Sequence, residues 1–232
     1  MMHRPSLNRR DFSGRLLAAG AAAFAATGAS AQPAPVEGVH YVRLVESVPA
    51  ETGGKLEVIE FFWYECPHCN AFELALEAWG KRLPDDVAFR RVPVFFREDP
   101  FGPQQRLYYA LEASGLLPTL HRRVFAAIHD DRTRLRTPED IAAFALRNGV
   151  DVQKFMTTYS SFAVQTKAQQ ARQTASAYKI DAVPAMGVHG RYYTNGNLAN
   201  AGRPPTTPAT ANDRMLGVVD ALIARVRQGG RI

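Results

Sequence analysis

From Lys55 to Trp63 the chain is almost continuously apolar, the pattern of a strand buried on both faces. His40 to Val45 predicts a shorter strand before it, with Gly53-Gly54 as the turn between them. The period then becomes helical. Phe72, Ala75, Leu76 and Trp79 fall on one face of a helix predicted over 70–81. Pro84-Asp85-Asp86 marks a turn, and Val87 to Phe96 predicts a strand parallel to the first run, with Pro93 as a local break. This β-α-β order suits a parallel pair joined by a crossover helix.

From about Asp99 to Lys167 the pattern stays helical. Helices are predicted over 104–113, stopped by Ser114-Gly115, and over 118–129. Thr137-Pro138-Glu139-Asp140 is a strong start signal, with threonine at the N-cap, proline at the first helical position and acids in the first turn. That helix runs to Arg147, with Gly149 past its end. Asp151 caps a short helix to Tyr159, and 161–178 predicts a long one. A β pattern returns at Ala185 to Val188, turns at His189-Gly190 and continues through Arg191 to Thr194 as a hairpin. Residues 195–209 read as loop. Asn212 or Asp213 is expected to cap a last helix to Arg227, with Met215, Val218, Val219, Leu222, Ile223 and Val226 inward.

The resulting order is β-β-α-β, a helical block, then α-β-β-α. It predicts an α/β protein, a thioredoxin-like fold with an inserted all-α helical domain. The expected divisions are 32–98 for the first part of the sheet domain, 99–167 for the insert and 168–232 for the second part.

Composition adds little to this and the N-terminus adds more. Apolar residues make up 46% of 232 and aromatics 10%, which is enough to bury a core. Residues 1–31 read as a signal peptide. Arg4, Arg9, Arg10 and Arg15 precede an alanine-rich apolar stretch, Leu16 to Ala26, and Ala29-Ser30-Ala31 is a small-x-small cleavage site before Gln32. Asn8-Arg9-Arg10-Asp11-Phe12 fits a twin-arginine signal or an ordinary secretory signal with adjacent arginines. Removing residues 1–31 takes away four arginines and one aspartate, lowering the formal charge from +6 to +3. That balance gives no case for nucleic acid. Nothing suggests a subunit interface, so a monomer is the default.

The chemistry centres on the only two cysteines, in Cys66-Pro67-His68-Cys69 at the predicted start of the helix. A disulfide across so short a loop stabilises little, so it is badly placed as a staple and well placed as a reagent. The helix N-terminus favours a Cys66 thiolate, and Pro67 gives up no hydrogen bond there. Cys69, one turn in, is placed to resolve a mixed disulfide formed at Cys66. His68 favours the thiolate too. That stabilises the reduced form and makes the disulfide a donor. A structural zinc site needs four ligands, and neither a second pair nor suitable histidine spacing is present. No cofactor is called for.

Two more features bear on the dithiol. Glu60 interrupts the apolar run, which predicts a buried acid with a raised pKa that passes protons to and from Cys69. Glu65 and Glu73 read as surface residues. Val183-Pro184 enters a strand. A cis bond there would turn the Val183 backbone outward for a partner segment to pair with. Apolar residues around Val183, Met186 and the start of the helix are expected to form a shallow groove for unfolded chains.

Glu60-Phe61-Phe62, Cys66-Pro67-His68-Cys69, Phe72-Glu73 and Val183-Pro184-Ala185-Met186 together resemble the DsbA family of periplasmic thiol:disulfide oxidoreductases. The resemblance covers most of residues 38–228. It implies that Cys66 is the exposed nucleophile, Cys69 its buried partner, His68 the thiolate stabiliser, Glu60 the buried acid and Pro184 a cis proline. Pro67, Val183, Pro184 and Met186 are the expected substrate-binding set. The resemblance also implies reduced, unfolded exported proteins as substrates, a DsbB-type quinone-linked membrane oxidase as partner, and the periplasm as location. It departs at one point: where some members carry a lysine near the buried acid, the strand over 87–96 offers Arg90 and Arg91. The alternatives are a disulfide isomerase or reductase with a dedicated client, and a metal- or peptide-binding module. Only about 24 residues separate Gln32 from the catalytic strand, which leaves no room for an isomerase dimerisation domain.

Overall fold

The computed structural model describes residues 34–95, 102–204 and 207–229. The expected signal peptide and cleavage site, and the expected end of the third strand at Phe96, lie outside them. The elements in chain order are β1 (Val42–Arg43), β2 (Leu56–Phe62), α1 (Pro67–Gly80), β3 (Val87–Pro93), α2 (Pro103–Ala113), α3 (Leu117–His129), α4 (Pro138–Arg147), α5 (Val152–Tyr159), α6 (Phe162–Ala177), β4 (Ala185–Val188), β5 (Tyr192–Asn195), α7 (Gly196–Ala199) and α8 (Pro208–Gln228).

The strands form one sheet in the order β1-β5-β4-β2-β3. β2 is central and fully buried, parallel to β3 and antiparallel to β4. Each β2 side chain must therefore suit a dry layer: five of the seven are apolar, and the two glutamates, Glu57 and Glu60, are paired with Arg90 and Arg91. On one face Leu56, Val58, Phe72, Leu76, Trp79 and the inner side of α8 form a core, tied by Trp79 Nε1 donating to Asp220 Oδ1 at 2.7 Å. On the other face Ile59 and Phe61 run into the core of α2–α6 without a break. Residue 167, where the insert was expected to end, lies inside α6.

Most caps follow the sequence. Thr137 and Asp140 close a capping box at α4, and Asp151 and Ser161 cap α5 and α6. Three expectations are corrected. The first strand is two residues long, because only Val42 and Arg43 find partners on β5. The stretch over 195–209 is not all loop: Asn195 accepts from Leu198 N and starts α7. α8 starts at Pro208 under a Thr207 cap, not at Asn212 or Asp213, because Thr207-Pro208 is the stronger start signal. The β4–β5 turn is at His189-Gly190 as expected. A Cβ on Gly190 would lie 1.7 Å from Val48 O, so only glycine fits there.

Candidate active site

β2 delivers the chain to α1, and Cys66 is the N-cap. Its backbone is extended (φ −81°, ψ 116°), and its sulfur accepts from Cys69 N at 3.3 Å. Pro67 holds the first helical position. Both cysteines are free thiols. Cys66 is not freely exposed: 7% of its surface is accessible, and its Sγ donates to Val183 O at 3.5 Å. The Val183-Pro184 bond is cis.

The two sulfurs are driven apart in acidity. Cys66 is lowered to about 6. The Cys69 thiol, donating to the Cys66 sulfur, contributes most. Burial opposes it. The backbone N–H groups of Cys69 and His68 add to the lowering, and the His68 charge comes last. His68 was expected to stabilise the thiolate alongside the helix start. In the structure the imidazole is exposed, and the helix start itself carries more of the effect. Burial pushes the Cys69 thiol well above its ordinary value, and the nearby Cys66 sulfur adds to this.

Glu60 has no accessible surface. Strand register explains its partner: Glu60 lies directly across from Arg91 on β3, and Arg91 Nε donates to Glu60 Oε2 at 2.9 Å. Glu60 Oε1 has no hydrogen-bond partner among the described residues. Burial raises this carboxyl to about 8, and the Glu73 charge adds to it against the pull of Arg91. At neutral pH Glu60 is therefore mostly protonated.

Glu73 was expected at the surface and is buried instead. It sits one helical turn past Cys69, on the face that α1 turns to the sheet. Arg91 Nη2 donates to its Oε2 at 3.1 Å, and His121 Nε2 lies 3.3 Å from its Oε1. Burial works to raise Glu73, but the His121 bond and nearby positive charge outweigh it and hold the carboxyl below its usual value. His121 itself is lowered, chiefly by burial, so it is neutral at neutral pH. Glu73 then relies on the hydrogen bond and on Arg91. The His121 ring bonds Tyr64 Oη through Nδ1 at 2.7 Å. A continuous polar chain thus runs from Glu60 through Arg91, Glu73 and His121 to Tyr64. Arg90 does not join it: it pairs with the buried Glu57 at 2.9 Å.

Glu65 is also no surface residue. It holds Arg136 by two bonds of 2.6 and 2.5 Å and accepts from Gln104 Nε2. Met186 does not line a groove: it is fully buried, its backbone paired to both β2 and β5. The groove beside Val183 and Pro184, about 630 Å³, includes His68 and is lined instead by Asn195, Asn197, Asn200 and Asn212, so it is more polar than expected. Pro67 lies in a different recess. Among the described residues no cluster of potential metal ligands is present, and no helix is long and apolar enough to cross a membrane.

The sheet and a dithiol of split acidity at a helix start define a thioredoxin-fold thiol:disulfide oxidoreductase. The model of the DSBA-like thioredoxin domain matches residues 57–201. The chain is 41% identical to thiol:disulfide interchange protein DsbA of Azotobacter vinelandii over 199 residues, 85% of this chain and 88% of that one. It is 43% identical to its namesake in Bordetella parapertussis over 217 residues, 92% and 97% of the two chains. The crystal structure of Pseudomonas aeruginosa DsbA superposes with a TM-score of 0.75 at 36% identity, covering 84% of this chain and 95% of that one. The chain belongs to the DsbA family.

Proposed function

We propose that the chain is an exported, periplasmic dithiol oxidase that donates its Cys66–Cys69 disulfide to reduced, unfolded proteins. A substrate thiolate attacks Cys66 Sγ, the Cys66–Cys69 bond breaks, and Cys69 leaves as a thiolate. Glu60, mostly protonated at neutral pH, is the acid available to supply Cys69 with a proton. A second substrate thiolate then attacks the substrate sulfur of the mixed disulfide and expels Cys66 as a thiolate. Two electrons have passed from two substrate thiols to the enzyme, which ends as a dithiol. The Val183 carbonyl and cis Pro184 lie beside the reacting sulfur and offer backbone for a partner segment to pair with.

One observation carries the direction of transfer. The Cys66 thiol is lowered to about 6, which stabilises the reduced enzyme and makes its disulfide the better oxidant. Reoxidation is assigned, by family membership, to a quinone-linked membrane protein of the DsbB type. Helices α2 to α6 frame the site as an insert in the sheet domain. Oxidation of a reduced, unfolded protein by the wild type and by Cys66→Ser tests the reading. Activity in the wild type and none in the variant is expected. Full activity in the variant would mean that another group is the nucleophile.

A further inference from the structure

The two residues after Cys66 line two different recesses. His68 lines the asparagine groove, whereas Pro67 lines a recess of about 400 Å³. Arg132, Arg134 and Arg136 line this second recess, together with Glu65 and His129. The arginines are exposed and alternate along the connection from α3 to α4.

That connection is not a loosely solvated charge run. Leu135 is fully buried. Thr133 N donates to Ala127 O at 2.8 Å, and Gln104 Nε2 donates to Arg134 O at 2.9 Å. Arg132 and Leu135 take left-handed backbone, with φ of 60° and 49°. His129 Nε2 donates to Tyr64 O at 2.8 Å, which ties the end of α3 to the chain just before Cys66. The recess is therefore fixed relative to the reacting sulfur.

Among the described residues its charge is unbalanced. Glu65 is committed to Arg136. Arg132 and Arg134 make no ion pair or side-chain hydrogen bond with a described residue. Asp130 and Asp131 precede the arginines and do not line the recess. Guanidinium groups match carboxylates in geometry as well as charge.

We propose that this arginine recess docks an acidic stretch of the partner polypeptide, lying within a few residues of the cysteine that reacts with Cys66. It gives the enzyme a preference among thiol substrates through the rate of encounter. The proposal rests on the oxidase reading given above.

Three peptides test it, each with the same dithiol flanked by glutamates, serines or lysines. Their oxidation by the disulfide form is followed by stopped flow, in the wild type and in an Arg132→Ser/Arg134→Ser variant. The wild type should oxidise the glutamate peptide about tenfold faster than the lysine peptide at low ionic strength. The preference should collapse in high salt and in the variant, with the serine peptide unaffected by the substitutions. Equal wild-type rates for the charged peptides would overturn the docking site, as would a preference that survives in the variant. Should the variant fail to fold, wild-type rates that show no salt-sensitive preference would overturn it alone. Failure to oxidise any of the three would overturn the oxidase reading and the docking site with it.

Discussion

The Cys66 sulfur is a thiolate because its neighbours donate to it: a thiol one turn away and two backbone N–H groups of the first helical turn. The thiolate should already dominate at pH 7, with a midpoint at about 6 by thiolate absorbance. A midpoint near the ordinary value of about 8.5 would contradict this. Glu60 carries the opposite displacement. Its carboxyl is raised in the fold from 4.5 to about 8. The stability this contributes is fully present below the unfolded value of 4.5 and is lost as pH rises through about 8. Glu60→Gln removes the titration. The variant should therefore gain on the wild type between pH 5 and 9, by on the order of 4 kcal/mol. Thermal melts at both pH values check this, and a gap that does not change with pH would contradict it.

At the scale of elements, the β2–β3 register holds the site together. It sets Glu60 beside Arg91, and α1 brings Glu73 to the same guanidinium. Arg91→Met would leave two buried carboxyls without their shared cation. It should cost about 3–5 kcal/mol in denaturant unfolding, with Arg91→Lys losing less. A cost below about 1 kcal/mol would show that the pairing is dispensable. The same register marks how far the sequence could be read. The dithiol, its helix and the strand before it are local patterns, and so were legible. Glu60 stood out because it breaks the apolar stretch from Val58 to Tyr64, whereas Glu57, the other acid of β2, is equally buried and was not singled out. Glu73 was within reach, since it follows Cys69 by four residues and shares the inward face of α1. Arg91 and His121 were not, because their contacts come from strand pairing and from α3 packing over β2, which no local pattern records. The start of α8 was misplaced for a local reason: Thr207-Pro208 outranks Asn212 as a cap.

For the whole molecule, the sheet separates two cores, and the dithiol sits where β2 leaves the sheet for α1. The helical layer covers the Glu60 network from one side through His121 of α3, which bonds both Glu73 and Tyr64. The Val183 turn closes over Cys66 from the other. The fold thus keeps Cys69 and Glu60 dry and leaves only an edge of Cys66 accessible. Stabilising the Cys66 thiolate and burying Cys69 both act on the reduction potential, so that potential tests the central claim most directly. Equilibration against glutathione should place the couple well on the oxidising side, above about −200 mV. A potential near about −270 mV, that of a reductase such as thioredoxin, would contradict donation of the disulfide.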